Sequence, residues 1–379
     1  VAAPLTDNKF IQPIIDWLDE RVPLTEAIKF AGKKEVPVHK HSFWYYMGGI
    51  AMLFLGIQFV TGFLLMFHYV ASFEEAYASV QRINMEVPFG WLIRSMHSWG
   101  ANLFVLVLFI HMFSTYFMKA YRSPREFTWL SGLGLLGIAM LFGFTGYMLP
   151  LDEIAYFATK VGVDVAGEAP FVGPYVANFV LGSGNIGLDN GALVAGTGAI
   201  GQVTVNRFFA LHVIALPLAM IGLAGLHMML IQLQGISEPE SIQKLPQKEK
   251  KYEKFFPDFI IKDVFIWIAV TVGFLMIVTM SPWHLGPPAD PAAAAPLGIR
   301  PEWYFLSQFQ ALKLFPSHML FFEGVHVAMV AIGATMASLV VVPILDSTGK
   351  NQFISKFATV YGIIFLIGWI ILTIWGWVS

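Results

Sequence analysis

The stretch WLIRSMHSWGANLFVLVLFIHMFSTYFM, residues 91–118, decides the fold. It is apolar for long enough to cross a bilayer, yet it carries His97 and His111. Fourteen residues separate them, close to four whole helical turns, so both imidazoles fall on one face. At about 1.5 Å per residue they lie roughly 21 Å apart, one near each edge of a hydrocarbon core about 30 Å thick. Ionisable side chains inside a span are costly and mark function.

A second stretch, FFALHVIALPLAMIGLAGLHMMLIQ at 208–232, repeats the device with His212 and His227, fifteen residues apart and again near one face. Two helices with one upper and one lower histidine each can clamp two haems. Each iron then takes one imidazole from each helix: His97 with His212, and His111 with His227. Iron held by two imidazoles has no open position, which favours electron transfer over oxygen chemistry. Two other readings of these spans stand beside this one: histidines that pack or hydrogen-bond independently, and a transporter whose histidines relay protons.

Glycine follows the same period. Gly48 and Gly62, and Gly132 and Gly146, are each fourteen residues apart in two further apolar runs. A helix-interior glycine costs about 1 kcal/mol against alanine and is tolerated where something flat approaches the backbone. The expectation is that each haem edge lies on one of these glycines. Ordinary small-residue packing between membrane helices produces a similar stripe. Arg94 and Arg207, outward of His97 and His212, suit the propionates of an outer haem. Arg122 and Arg125, after His111, suit those of an inner one. Arginines at span ends also act as snorkelling anchors.

The whole chain agrees with a membrane reading. Of 379 residues, 56% are hydrophobic and only 13% charged, more apolar surface than a soluble fold hides. Apolar runs at roughly 43–70, 91–118, 128–149, 206–232, 259–281, 319–343 and 355–377 read as seven transmembrane helices. The fold class expected is an all-α integral membrane protein: a four-helix dihaem bundle followed by three C-terminal helices. Its parts are an N-terminal segment 1–42, the bundle 43–232 with a long loop 151–205, a linker 233–258, and the C-terminal part 259–379. Net charge is −2, so no nucleic-acid partner is expected. There is no cysteine, hence no thiolate metal site and no thioether-bound c-type haem.

Lysine and arginine concentrate at the N-terminus (Lys9, Arg21, Lys29, Lys33, Lys34, Lys40) and after the second, fourth and sixth spans. The positive-inside rule makes those faces cytoplasmic, leaving the C-terminus and the loops 151–205 and 282–318 outside. Loops that long commonly form a lid or dock a partner. The alanine-rich patch 289–296 reads as a connector.

R-x-x-H at 94–97, R-F-F-A-L-H at 207–212, G-Y-M-L-P-L-D at 146–152 and P-E-W-Y at 301–304 together resemble cytochrome b of the quinol-oxidising bc and b6f complexes. The resemblance runs from about residue 36 to the C-terminus. The fifteen-residue spacing, Q-G-I-S-x-P at 234–239 and the seven spans are similar to the b6f branch. The unsplit chain and the stretch around 184–201 depart from it, and Tyr46 stands where that branch attaches an extra haem through cysteine. Pro150-Leu151 replaces the family's usual proline–tryptophan.

The resemblance implies a two-site quinone cycle. A quinol at the outer site gives one electron to a Rieske iron–sulfur protein and one through two non-covalent b-type haems to a quinone at an inner site, with protons leaving outside and entering inside. It also implies a c-type cytochrome subunit, a homodimer, and a bacterial inner-membrane location. Pro301, Glu302, Trp303 and Tyr304 would form the outer quinone site. Glu302 would be the proton acceptor, its pKa raised by desolvation. Tyr147, at the outer end of the third span, and the segment 150–163 would line the same pocket, and Lys262 and Asp263 would belong to the inner site, a capping and snorkelling pair being the other reading of those two. His39 and His41 are weaker candidates for proton delivery. His68, His284, His318 and His326 fall in no motif.

Overall fold

A computed structural model describes residues 12–22, 25–26, 32–182, 186–189, 192–195, 200–319 and 321–379. Lys9, Lys29 and much of the inserted stretch 184–201 lie outside the described residues.

Seven helices long and apolar enough to span a membrane run Ser42–Met66, Gly90–Phe117, Glu126–Met148, Gln202–Gln234, Phe255–Met280, Gly324–Leu345 and Gln352–Val378. In lipid no water pairs with the backbone, so a run of this composition must close its own hydrogen bonds as a helix. Apolar side chains such as Ile367, Ile371 and Ile374 are more than half exposed along the seventh span. That is the surface a lipid-facing helix presents. The sixth span begins five residues later than its apolar run, because His318–Met319 and Phe322–Glu323 pair as a small ribbon before it.

The first and second spans pack closely, as do the third and fourth. The fifth leans on the first through the edge-to-face pair Phe54–Phe274, ring centres 5.5 Å apart. The sixth and seventh dock on the second and third. Tyr116 donates to the Ala358 carbonyl at 2.7 Å, and the Trp129 indole to that of Leu339 at 2.9 Å. Gly362 leaves no room for a Cβ beside the Tyr116 ring.

Span two to span three and span six to span seven turn at the same end of the molecule, where Asp346, 2% exposed, joins them. It accepts from the Tyr121 hydroxyl at 2.7 Å and pairs with Arg122 at 3.0 Å and Lys119 at 3.4 Å. At this end too, Glu35–Pro37 pairs antiparallel with Tyr252–Lys254, tying the segment before span one to the lysine-rich linker.

The opposite end carries the long loops. The described part of the loop, from 151 to 182, is no loose connector: it holds the helices Glu153–Gly167 and Gly173–Leu181. Asp152 caps the first, accepting from the Ala155 amide at 2.9 Å. His326 lies 3.3 Å from Glu168 and 4.0 Å from Glu323, linking the end of that helix to the start of span six.

The fourth span contains a widened, π-helical turn over Leu211–Ala215 that includes His212. Pro217 follows within a turn, and its missing N–H removes a regular helical bond. A π-turn absorbs one extra residue without changing the face beyond it. The fifteen residues from His212 to His227 therefore match the fourteen from His97 to His111.

Candidate functional site

The four histidines meet in two pairs inside the bundle. His97 and His212 face each other with ring centres 6.2 Å apart. Two metal–imidazole bonds of about 2 Å, plus about 1 Å from each ring nitrogen to its ring centre, span about 6 Å. The separation therefore suits one metal between the rings. His111 and His227 are likewise neighbours nearer the linker end.

Behind each ring stands a glycine from the adjacent span. A Cβ on Gly62 would lie 3.1 Å from His97 Cε1, and one on Gly146 2.5 Å from His212 Cε1. The equivalent distances are 3.4 Å for Gly48 and His111, and 3.3 Å for Gly132 and His227. The glycine period thus makes room for the imidazoles themselves, one each, rather than only for the edge of a cofactor plane. A paired donor set and a backbone cradle that a Cβ would fill are what a bis-imidazole haem requires.

Three expected cation partners of haem propionates are held by carbonyls. Arg94, 6% exposed, donates to the Trp283 carbonyl at 2.9 Å and that of His284 at 3.3 Å. Arg207 donates to the carbonyls of Asn178 and Phe179, and Arg125 to those of Gln234 and Gly235. These acceptors are neutral and leave further guanidinium donors in hand, with Asp152 acting on the charge of Arg94 and Glu238 on that of Arg125. Arg122 differs. Its guanidinium is spent on Asp346, Glu240 and Ser355, so the expectation that it serves the inner haem fails.

Above the His97/His212 end lies a cavity of ≈ 770 Å³. Pro301, Glu302, Trp303, Tyr147 and Asn102 are among the residues that line it. That volume falls within the usual range for small-molecule sites, about 300–1,000 Å³. Its walls are tied to the second span. The Trp99 indole donates to the Ser281 carbonyl at 2.7 Å, the Trp283 amide to Ser95 Oγ at 2.9 Å, and the Trp303 indole to Asn102 Oδ1 at 2.8 Å. Burial, reinforced by the charge of Asp152, pushes the Glu302 carboxyl up to about 7.

Tyr304 is a correction. It is 4% exposed and does not line the cavity; its hydroxyl is pressed against Gly143 of the third span. The tight turn Trp303–Phe305 fans successive side chains apart, so Trp303 faces the cavity and Tyr304 the helix bundle. Asn102 is missed by sequence reasoning, whereas Asp152 falls in the expected segment 150–163. A carboxamide five residues past His97 in an apolar run was a usable signal, and Asp152 closes G-Y-M-L-P-L-D.

Lys262 and Asp263 diverge, contrary to a shared inner pocket. Lys262 is exposed and paired with Glu253, while Asp263 turns inward against Gly49, where a Cβ has no room. Asp263 Oδ1 is buried without a hydrogen-bond partner. The Nε2 of His39 lies 2.8 Å from the Tyr45 hydroxyl, which donates to the Ser237 carbonyl, so this ring secures the linker. Tyr46 fills its position by stacking on Phe259, ring centres 4.7 Å apart.

Comparison with known proteins agrees with this geometry. Residues 33–235 match the family model described as cytochrome b/b6/petB, and residues 288–379 that of cytochrome b (C-terminal)/b6/petD. The chain is 41% identical to the cytochrome bc complex cytochrome b subunit of Chlorobaculum thiosulfatiphilum, over 96% of this chain and 80% of that one. It is 37% identical to the menaquinol:cytochrome c reductase cytochrome b subunit of Geobacillus thermodenitrificans, over 60% and 99%. A solved structure titled hyperthermophilic respiratory Complex III matches with TM-score 0.79 at 28% identity, covering 96% of this chain and 91% of that one.

Proposed function

The chain belongs to the cytochrome b family, with its N-terminal and C-terminal parts in one polypeptide, and from that premise we propose that it is the electron-carrying and quinol-oxidising subunit of a bc-type complex. The observation that carries the proposal is the histidine pairing: His97 opposite His212 and His111 beside His227, each ring backed by its own glycine. In this reading His97 and His212 hold one b-type haem and His111 and His227 a second, with Arg94, Arg207 and Arg125 as propionate partners. Haem held by two imidazoles supplies one-electron transfer.

The remaining work falls to the protein's own residues. Quinol enters the cavity beside Pro301–Trp303. Glu302, with its carboxyl held up to about 7, accepts the hydroxyl proton, because a large share of it is ionised near neutral pH and that share is basic enough to take it. Tyr147 offers a hydroxyl within the same walls. Trp303, fixed by Asn102, keeps the ring plane of the substrate against an apolar surface. Asp152 caps the helix Glu153–Gly167 and accepts from the Gly286 amide at 3.2 Å, closing the roof. The half-buried carboxyl group of Asp263, when protonated, is the candidate proton donor of a second, inner quinone site.

A Rieske iron–sulfur protein and a c-type cytochrome subunit are the proposed partners, in a homodimer embedded in membrane lipid. The bacterial inner membrane is the proposed location, with the N-terminus cytoplasmic and the C-terminus outside. Replacing Glu302 by glutamine tests the site. Quinol oxidation should fall about a hundredfold or more while haem content is unchanged. Unchanged turnover would remove Glu302 from the reaction.

A further inference from the structure

The residue before each histidine-facing glycine follows a rule with one exception. Thr61 precedes Gly62, Ser131 precedes Gly132, and Thr145 precedes Gly146. The hydroxyl of each reaches the Nδ1 of the histidine beside it: Thr61 to His97 at 2.9 Å, Ser131 to His227 at 2.9 Å, Thr145 to His212 at 3.1 Å. Each hydroxyl gives its own proton to a carbonyl of its helix: Thr61 to Ile57 at 2.6 Å, Ser131 to Thr128 at 2.9 Å, Thr145 to Leu141 at 2.8 Å. An oxygen that has donated its only proton can offer the ring only a lone pair. Nδ1 must therefore carry the proton, which leaves the Nε2 lone pair free.

At the fourth position the residue before Gly48 is Met47, buried at 5% exposure. A thioether offers a ring N–H at best a weak acceptor. The Nδ1 of His111 is buried and has no hydrogen-bond partner.

We infer that Thr61, Ser131 and Thr145 are positioning residues that fix tautomer, orientation and donor strength of three of the four rings, and that Met47 withholds this from His111, making the His111/His227 centre electronically distinct from the His97/His212 centre. This rests on the haem-binding reading above. A hydrogen bond accepted from Nδ1–H makes the imidazole more basic and strengthens its donation to a metal. Stronger donation favours the oxidised metal and lowers its potential, so hydrogen bonding around the axial ligand is a direct lever on potential. The His97/His212 centre has two such bonds and the His111/His227 centre one.

The test is optical potentiometry and low-temperature EPR of the membrane-embedded complex carrying Met47→Thr, Met47→Leu or Thr61→Val. Met47→Thr, able to back-bond to its helix as Thr61 and Thr145 do, should lower the midpoint of the His111/His227 haem alone. The expected size is up to about tenfold in the reduced-to-oxidised ratio, which for one electron is about 59 mV. Met47→Leu should leave both midpoints in place, and Thr61→Val should raise that of the His97/His212 haem alone. The inference is overturned if Met47→Thr and Met47→Leu behave alike, or if Thr61→Val moves neither midpoint. A threonine at 47 that prevents assembly leaves the Thr61→Val result to decide. A wild-type complex without haem overturns the haem reading itself, a result distinct from two haems with unmoved potentials.

Discussion

At one end of the four-helix bundle, His97 and His212 lie beneath a walled cavity that holds Glu302. At the other, His111 and His227 lie toward a cluster in which Asp346 gathers Tyr121, Arg122 and Lys119. The glycine behind each ring is common to both ends, because it is set by a fourteen-residue period within single helices. What surrounds the rings differs, because it comes from the fifth span onward. The first end receives a roof from residues 281–303, and the second receives the turn between spans six and seven. The repeated part of the chain supplies a common frame, and the unrepeated part gives each end its separate chemistry.

The largest effect is expected where the frame itself is cut. His97→Ala or His212→Ala should remove one of two haems and spare the other, read from the visible spectrum and haem per chain. Loss of both would mean that the two ends are not independent. Next, Asp346→Ala leaves Lys119 without its carboxylate in a largely buried setting and Arg122 with Glu240 alone. Breaking a buried pair costs about 3–5 kcal/mol, so the midpoint of thermal inactivation should fall clearly below that of the wild type while both haems stay bound. A midpoint no lower would reduce the Asp346 cluster to decoration.

The glycines sharpen the comparison within the frame. Gly146→Ala places a Cβ 2.5 Å from His212, too close without movement, whereas Gly48→Ala places one 3.4 Å from His111, near ordinary contact. Alanine at 146 should shift the spectrum of its haem, and alanine at 48 should leave both spectra close to wild type. Equal effects would mean that the two cradles are alike.

The smallest expected effect is on pH. The Glu302 carboxyl is held up to about 7, so it is protonated below that value and ionised above it. A proton acceptor of this kind makes quinol oxidation rise with pH through about 7, and Glu302→Gln should flatten that limb. The same sign bears on stability. The folded protein holds this proton more tightly than the unfolded chain, so any contribution of Glu302 is most favourable at low pH and is lost as pH climbs toward 7.

Much of this was legible in the sequence for a physical reason: a helix converts spacing into direction. Fourteen residues fix a face, so the pairing of rings and the glycine opposite each one follow from counting. The fifteen-residue interval made sense only with the π-turn at Leu211–Ala215, for which Pro217 was the visible cue. Loop geometry was much less legible. P-E-W-Y marked the cavity wall, yet residue order in a tight turn does not say that Trp303 faces in and Tyr304 away. Arg122 and Lys262 went astray because a span-end cation has several anions within reach, and spacing does not choose among Asp346, Glu253 and a cofactor. The hydroxyl before each glycine was written in the sequence too, but its meaning required seeing Nδ1 beside it.

The most direct test of the account is a potentiometric titration of the visible spectrum of the complex, with haem quantified per copy of this chain. Two b-type haems per chain with resolved midpoints are expected, each lost separately with its own histidine pair. A chain with no haem, or with one haem that survives removal of either pair, would contradict it.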